Sequence, residues 1–185
     1  MIEFAWECFY EPSDCDGIRI DGYIWGTEEC DDNNNNSGDG CTPASIIETG
    51  WSCINEPSEC DGIWGDCLIR GTEICDDCNL LNEDGCSETG VIEFAWQCIL
   101  EPSICDGICS DGFIRGTEEC DDWNTWINDG CTNCVIDLGW TCINEYSQCD
   151  PICSDGLVRG YEECDDKNLI TEDGCSDICE VEWGW

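Results

Sequence analysis

The chain of 185 residues contains no histidine and only five lysine and arginine residues in total. Without histidine it lacks the side chain that proteins use most often as a general base or metal ligand near neutral pH. Phosphate groups are bound chiefly by lysine and arginine, so nucleic acids and anionic membrane surfaces are not expected partners. No apolar run approaches the roughly 18 residues that a membrane helix requires, and we predict no membrane span.

Cysteine and acidic residues are abundant instead. The chain has 22 cysteines, about 12% of its residues, and 44 aspartates and glutamates, which give a formal net charge of −39. This cysteine content is typical of disulfide scaffolds in oxidising compartments, so we predict an extracellular protein, secreted or at the cell surface. A zinc protein is the alternative, although CxxC pairs occur only at Cys75/Cys78 and Cys131/Cys134. So large a charge repels itself in a compact state, and we therefore expect cations in the folded protein.

The sequence repeats itself about every 45 residues, which is the signature of a tandem-repeat protein. The marker is a tryptophan that recurs at one phase, at Trp6, Trp51, Trp96, Trp140 and Trp185. We therefore divide the chain into an inter-repeat joint (1–5), repeat 1 (6–50), repeat 2 (51–95), repeat 3 (96–139), repeat 4 (140–184) and the start of a next repeat (185).

A longer period of 90 residues is superimposed on the first. The segment IEFAW occurs at 2–6 and again at 92–96, which defines two double repeats, 1–90 and 91–180. The chain starts and stops at the same phase, and its first residues, MIEFAWECFYEP, carry no basic residue and do not read as a signal peptide. We expect a window from a longer array, or a subunit that continues head to tail as a homopolymer.

The expected fold is a small disulfide-rich one, mostly irregular with short β-strands and little helix, arranged as an elongated tandem-repeat rod. Glycine, Asp-Gly and asparagine are frequent, and these are turn signals. A repeat of about 45 residues needs disulfides or metals to supplement so small a core. Phe113–Arg115 and Leu157–Arg159 are predicted to form short strands, and the Glu-Pro-Ser segments to form turns.

The cysteines that some repeats lack indicate how the others pair. Repeats 3 and 4 have six cysteines each, whereas repeat 1 lacks two of these together. Joint loss predicts the pairs Cys109–Cys134 and Cys153–Cys179, and the two additional cysteines of repeat 2 predict Cys67–Cys78. The remaining cysteines are predicted to pair locally, as Cys8–Cys15, Cys30–Cys41, Cys53–Cys60, Cys75–Cys86, Cys98–Cys105, Cys120–Cys131, Cys142–Cys149 and Cys164–Cys175.

Six oxygen-bearing residues recur at fixed spacing in each repeat, around a loop that two cysteines close. They are Asp21, Glu28, Asp31, Asp32, Asn34 and Asp39; Asp66, Glu73, Asp76, Asp77, Asn79 and Asp84; Asp111, Glu118, Asp121, Asp122, Asn124 and Asp129; and Asp155, Glu162, Asp165, Asp166, Asn168 and Asp173. Calcium takes six to eight oxygen ligands from carboxylates, amides and backbone carbonyls, so we predict calcium in these loops. The alternative is that these residues form turns and are solvated.

Three further features have structural interpretations. The tryptophans at the joints are expected to pack between repeats, with a sugar-stacking surface as the alternative, and Trp123 and Trp126 are expected to make a lateral contact. Arg70, Arg115 and Arg159 share one position and are each expected to pair with a local carboxylate. The sequence Asn35-Asn36-Ser37 is a glycosylation sequon, so a glycan at Asn35 is expected.

The spacing C-x3-C-S-D-G-x3-G-x-E-E-C-D-D-x-N-x4-D-G-C, continued to G-W-x-C, resembles the myxobacterial-type cysteine-rich (disulfide) repeat over the whole chain. The resemblance implies an extracellular tandem module without known catalysis. One departure is that the glycine which follows the two aspartates in that family is Asn33, Cys78, Trp123 or Lys167 here.

These observations predict a structural extracellular protein, a disulfide-stapled rod or filament of stacked repeats that calcium stabilises. The alternative is an adhesion or binding stalk, or a carbohydrate-binding surface. An enzyme is not expected, because a catalytic carboxylate pair should occur once and in a cleft rather than on four similar loops.

Overall fold

The computed structural model describes residues 6–9 and 14–185, with side chains described at residue 9 and from residue 17 onward. It contains ten short strands and, within those residues, no helix. The strands are β1 (Trp6–Phe9), β2 (Asp14–Gly17), β3 (Trp51–Ile54), β4 (Glu59–Gly62), β5 (Trp96–Ile99), β6 (Ile104–Gly107), β7 (Cys131–Thr132), β8 (Val135–Ile136), β9 (Trp140–Ile143) and β10 (Gln148–Pro151). None of the described residues forms a helix long and apolar enough to cross a membrane.

Each repeat begins with a two-stranded antiparallel hairpin that starts at the recurring tryptophan. In the hairpin of repeat 2, Cys53 lies directly opposite Cys60, and a disulfide joins the two strands. The predicted Glu-Pro-Ser turn is confirmed here, because residues 55–58 form the turn that connects the strands. Since a two-stranded hairpin alone is marginally stable in water, the disulfide across it is an essential part of this element.

The predicted small, disulfide-rich and mostly irregular fold with short β-strands is confirmed, but the predicted strands at Phe113–Arg115 and Leu157–Arg159 are wrong. The reason is that side-chain carboxylates take up the backbone N–H groups that a strand would need for its ladder. The N–H of Phe113 donates to Asp111 Oδ1 (2.9 Å), and the N–H of Arg115 donates to Glu118 Oε2 (2.8 Å). Local side-chain acceptors of this kind compete with sheet formation.

Ten disulfides connect the described cysteines, and none of these cysteines is free. The bonds follow the pattern expected from the sequence, including Cys67–Cys78, Cys109–Cys134 and Cys153–Cys179. The predicted bond Cys8–Cys15 lies outside the described side chains, although the backbones of the two residues face each other in the first hairpin.

The buried residues are mainly cysteines and polar side chains rather than aliphatic ones. Cys30, Cys75 and Cys120 are fully buried, and so is Asp121. By contrast, large apolar side chains such as Leu138 are exposed. The core is therefore built from disulfides and hydrogen-bonded carboxylates, which explains why hydrophobic periodicity is weak in this sequence.

Reciprocal hydrogen bonds join each acidic loop to the hairpin turn of the following repeat. The N–H of Asp76 donates to Ser103 Oγ (3.0 Å), and the N–H of Ser103 donates to the Asp76 carbonyl (2.6 Å). The same two bonds join Asp31 to Ser58 and Asp121 to Ser147. All three serines are buried. We call this arrangement the Asp–Ser junction.

The glycine of each Asp-Gly pair makes this close approach possible. A Cβ atom on Gly40 would lie 2.3 Å from Cys60 Cβ and 2.8 Å from Trp51 Cε3, which both belong to the next repeat. Gly40 also has a φ of 110°, a conformation that other residues rarely adopt. At the junction of repeats 1 and 2, Trp51 thus packs against the preceding loop, as the sequence suggested for the joint tryptophans.

The chain forms two compact units. The N-terminal unit comprises Met1–Glu93 with Cys98–Cys105, and the C-terminal unit comprises Phe94–Gln97 with Asp106–Trp185. The boundary therefore passes through the hairpin of repeat 3, and each junction described above lies within one unit.

Candidate metal centre

The first of the two adjacent aspartates in each loop is enclosed by backbone N–H groups. In repeat 2 the carboxylate of Asp76 accepts four such bonds of 2.8–3.0 Å, from Gly65, Asp66, Cys67 and Cys78. An ionised carboxylate offers about four lone-pair positions, so none remains for a cation. We call this arrangement the N–H cage, and it holds the loop in place rather than binding a metal.

The other repeats have equivalent cages. Asp121 accepts the N–H groups of Asp111, Gly112 and Trp123 at 2.8–3.0 Å. Asp31 accepts those of Asp21 and Asn33, and Asp165 accepts those of Ser154, Asp155, Gly156 and Lys167. Desolvation raises the pKa of Asp165, but the backbone hydrogen bonds outweigh it and hold the pKa below its ordinary value.

The N–H cage also explains how four different residues can occupy the position at which the cysteine-rich repeat that the sequence resembles has glycine. The residue two positions after the caged aspartate donates its N–H to the cage and has a left-handed backbone conformation. Asn33, Cys78, Trp123 and Lys167 occupy this position, with φ between 62° and 71°. Glycine adopts such a conformation without steric cost, whereas other residues are strained there. The four hydrogen-bonded cages therefore impose the conformation on whichever residue is present.

Two more of the six predicted positions, the aspartate and the glutamate that precede the loop (Asp111 and Glu118 in repeat 3), also accept backbone N–H groups. Besides the Asp111 and Glu118 contacts already described, equivalent bonds occur in every other repeat. They join Asp21 to Tyr23, Asp66 to Leu68, Asp155 to Leu157, Glu28 to Trp25, Glu73 to Arg70 and Glu162 to Arg159. These carboxylates close turns beside the cage.

In repeats 2, 3 and 4 the glutamate that precedes the loop keeps one buried carboxylate oxygen without a hydrogen-bond donor among the described residues. This applies to Oε1 of Glu73, Glu118 and Glu162. Burial raises the pKa of Glu73 and Glu118, because the charged form loses hydration. In repeat 1 the equivalent atom of Glu28 instead accepts the hydroxyl of Ser45 at 3.4 Å.

The second aspartate of each pair has a different environment. Burial raises the pKa of Asp77, and the charge of Asp84 raises it further; Asp129 has the same effect on Asp122. Oδ1 of Asp39, Asp84 and Asp129 is buried and has no hydrogen-bond donor among the described residues. Two nearby half-buried carboxylates, one with a buried and unpartnered oxygen, repel each other, and a bound cation would relieve that repulsion.

The asparagine between these aspartates orients the loop. Asn79 Oδ1 accepts the N–H of Leu81 (2.6 Å), and its amide nitrogen donates to Asp84 Oδ2 (3.2 Å). Because the asparagine carbonyl is already occupied by a backbone N–H, the carboxylates are the better candidate ligands. In repeats 2 and 3 the structure thus separates the predicted carboxylates into a caged group and an anionic pair, Asp77/Asp84 and Asp122/Asp129. The equivalent residues are Asp32/Asp39 in repeat 1 and the exposed Asp166/Asp173 in repeat 4.

A further carboxylate that we did not predict as a site residue supports each loop from the joint. The carboxylate of Glu93 accepts the N–H groups of Glu83 (2.8 Å) and Gly85 (2.9 Å). Glu48, Asp137 and Glu182 make the equivalent contact with Gly40, Gly130 and Gly174. The signal in the sequence is an acidic residue six or seven positions after each loop-closing cysteine.

Cysteine-based zinc binding has no support among the described residues. The clusters Cys109/Glu118/Cys134 and Cys153/Glu162/Cys179 bring ligand atoms within 4.8 Å of one another. In both clusters, however, the two sulfurs are bonded to each other. Zinc is bound by thiolates, which these disulfides do not provide.

Arg70 and Arg115 pair with the following repeat rather than with a carboxylate nearby in sequence. Arg159 instead donates to the carbonyl of Val158. Arg70 contacts Glu101 at 3.1 Å, 31 residues further along the chain, and Arg115 contacts Glu145. Both ion pairs reach the hairpin turn of the following repeat, two residues before the serine of the Asp–Ser junction. The predicted glycosylation residue Asn35 is exposed, which leaves room for a glycan.

Comparisons with known proteins identify one family. The profile of the family described as "Domain of unknown function (DUF4215)" matches residues 48–89, 93–135 and 137–180, which together make up more than half of the chain. These tandem matches agree with the expectation of a cysteine-rich tandem-repeat family, whereas the myxobacterial type stays a prediction. No curated protein and no solved structure matches the chain significantly. The repeat bounds given above also stay predictions.

Proposed function

Since this chain belongs to the family of the domain of unknown function DUF4215, we propose that it forms an extracellular rod or filament, stapled by disulfides and stabilised by calcium. Tandem disulfide-rich repeats indicate a structural or binding extracellular module. Filament assembly and calcium binding go further than this general role, and a separate observation supports each of them.

The Asp–Ser junction is the observation that carries the filament proposal. It occurs with the same two hydrogen bonds at three successive positions, so every repeat presents the surface that the next one binds. At the last of these positions Asp121 is fully buried, whereas Asp165 of repeat 4 is partly exposed. A further hairpin, from the same chain or from another copy, would cover Asp165 as the hairpin of repeat 4 covers Asp121. Repetition of one heterologous contact generates an open fibre.

Electron microscopy with a matched pair of variants tests the assembly. Ser13 is equivalent in sequence to the junction serines and lies outside the described residues, so Ser13→Ala would remove the hydroxyl from a contact between copies. Ser103→Ala removes it from a junction inside the chain. We expect Ser13→Ala to shorten or abolish filaments and Ser103→Ala to preserve them. Monomers of the unmodified protein at all concentrations would contradict the proposal.

The anionic pairs support the calcium part of the proposal. Asp77 and Asp84 combine two carboxylates, one unpartnered buried oxygen and mutual repulsion that raises the pKa of Asp77. Calcium prefers such oxygen ligands, and backbone carbonyls and water complete its coordination shell. With a net charge of −39, the chain would also gain from neutralisation of one carboxylate pair in each loop.

Calorimetric calcium titration and elemental analysis test this part. We expect about one calcium per loop, with extracellular affinities of roughly 10⁻⁴–10⁻³ M. Asp84→Asn should remove the calcium of one loop, whereas Asp66→Asn, at a position occupied by a backbone N–H, should leave the count unchanged. Filaments that persist in chelator, together with no calcium by elemental analysis, would refute the calcium proposal and leave disulfides and repeat packing as the basis of assembly.

A binding or adhesion module is the alternative, and exposed aromatic side chains favour it. Trp123 and Trp126 of repeat 3 are 66% and 75% exposed. An isolated monomer that binds glycans, shown by a glycan array, would favour this alternative over a filament. The absence of catalytic activity stays a prediction.

A further inference from the structure

An aromatic pocket lies where repeat 3 meets repeat 4, entirely within the C-terminal unit. Three rings, those of Phe113, Trp123 and Tyr146, line a cavity of about 310 Å³ together with Asp111 and Glu145. This volume is at the lower end of the range for small-molecule sites. We refer to it as the repeat-3 pocket.

The rings stand at a large angle to one another instead of forming a flat platform. The centroids of Trp123 and Tyr146 are 5.9 Å apart, and the ring planes meet at 84°. Phe113 forms a third wall and is itself oriented by an edge contact with Phe94, at 4.9 Å and 78°. Two perpendicular walls fit a rounded group, whereas a sugar ring stacks best on one flat face.

A cationic side chain already contacts one of the aromatic rings that line the pocket. The guanidinium carbon of Arg115 lies 5.6 Å from the centroid of Phe113, within the range of cation–π contacts. Arg115 also pairs with Glu145 at the rim. The faces of Trp123 and Tyr146, which are 66% and 49% exposed, remain accessible to a ligand.

The equivalent positions in the other repeats carry different residues. The position of Trp123 is Asn33 in repeat 1, where Pro57 lies at the place of Tyr146. In repeat 2 a disulfide between Cys67 and Cys78 occupies the space. In repeat 4 the aliphatic chain of Lys167 covers Gly156, since a Cβ there would lie 2.2 Å from Lys167 Cε.

From this geometry we propose that the repeat-3 pocket binds a trimethylammonium group, the chemical class of choline, betaine and trimethyllysine. Tryptophan and tyrosine faces attract quaternary ammonium groups through their ring quadrupoles, and aromatic cages are the usual way to bind such ligands. Glu145 is paired with Arg115, so the carboxylate of Asp111 and the overall charge of −39 are what favour a cation over a neutral ligand. The pocket adjoins the acidic loop of repeat 3, but its lining does not include the carboxylate pair Asp122/Asp129, and it goes beyond the proposed function.

Calorimetry and ligand-observed NMR with choline chloride test the proposal on the intact chain. The matched comparison ligand is 3,3-dimethylbutan-1-ol, which has the shape of choline without its charge. We expect choline to bind at one site per chain, about tenfold more tightly than the neutral analogue, because the charged group makes cation–π contacts with two rings and the neutral analogue makes none.

Two variants and one control locate the site. Trp123→Asn introduces the residue that repeat 1 has at this position, and Tyr146→Leu removes the second wall. Each should weaken choline binding about tenfold or more. Trp126→Asn changes an exposed tryptophan of the same loop that does not line the pocket, and it should leave the affinity unchanged. Intact disulfides and an unchanged circular dichroism spectrum would show that each variant is folded.

The outcomes are distinct. Equal binding of choline and its neutral analogue would show a merely apolar pocket, and binding unaffected by Trp123→Asn would show accumulation in the general negative field; both would overturn the proposal. Binding of methyl glycosides in place of choline would overturn it in favour of a sugar site. If choline binds as expected, titrations with betaine, a trimethyllysine peptide and phosphatidylcholine vesicles identify which source of the group is preferred.

Discussion

Replacement of Asp121 by asparagine should open one loop locally while the disulfides remain intact. The carboxylate is fully buried and accepts three backbone N–H groups, two at Oδ1 and one at Oδ2. An asparagine of the same shape keeps one oxygen for two of these donors. Its amide nitrogen then faces the N–H of Asp111, so that two donors oppose each other in a buried site.

The magnitude follows from these contacts. A hydrogen bond to a charged group contributes about 1.5–3 kcal/mol, and the two retained bonds become weaker because the acceptor is neutral. We therefore expect the free energy of local opening to fall by about 2–4 kcal/mol. Since each 1.4 kcal/mol is a factor of ten, amide exchange at Asp111, Gly112 and Trp123 should accelerate roughly 30- to 700-fold.

Amide hydrogen exchange by NMR, in the presence of chelator, is the assay, and two variants serve as controls. Asp122→Asn alters the neighbouring carboxylate, which does not belong to the cage, and should leave these amides protected. Asp76→Asn should have a smaller effect in repeat 2, because the disulfide Cys67–Cys78 joins the equivalent positions. If Asp121→Asn changes exchange no more than Asp122→Asn does, the N–H cage does not hold the loop.

Three other perturbations have defined outcomes. Burial and a neighbouring aspartate raise the pKa of Asp77, so between the ordinary pKa of about 3.9 and the raised pKa the native state binds more protons than the unfolded chain. The free energy of unfolding without calcium should therefore fall as pH rises through this interval. Calcium should reverse this trend, and denaturant titrations at several pH values measure both effects. Gly130→Ala should destabilise the chain by about 2–4 kcal/mol, because the new methyl would lie 2.2 Å from Cys149 Cβ, whereas Gly38→Ala, with no atom within 4 Å, should cost only about 1–2 kcal/mol of backbone strain. Arg115→Gln, which removes a partly exposed ion pair, should change the unfolding free energy by less than about 1 kcal/mol, and that difference should shrink in high salt.

Much of the disulfide framework was predictable because the repeats differ from one another. The joint absence of two cysteines from repeat 1 identified Cys109 and Cys134 as partners, and their bond spans 25 residues. Strand positions were not predictable in the same way. Phe113–Arg115 has apolar and β-favouring residues, yet its N–H groups donate to carboxylates, and no single-residue preference reveals where a backbone donor will find its acceptor.

The candidate metal centre was predictable in position but not in composition. Asp76 and Asp77 are adjacent, identical in chemistry and equally regular in spacing, so the sequence offers no means of distinguishing their roles. In the fold, Asp76 accepts four N–H groups, whereas Asp77 lies near the charge of Asp84. The difference lies in the backbone N–H groups that the folded loop places around Asp76 and not around Asp77, and residue type does not encode it.

The same left-handed position also shows how this chain acquires a feature in a single repeat. The N–H cage constrains only the backbone there, so the side chain is free to change while the loop is preserved. In repeat 2 that freedom is used for a second staple, through Cys78. In repeat 3 it places Trp123 beside Tyr146 at the junction with repeat 4. The N–H cage uses the backbone N–H of this residue and not its side chain, so a substitution here alters the surface of one repeat without loosening its neighbours. Specific binding should therefore be sought at the positions that vary rather than at those that repeat.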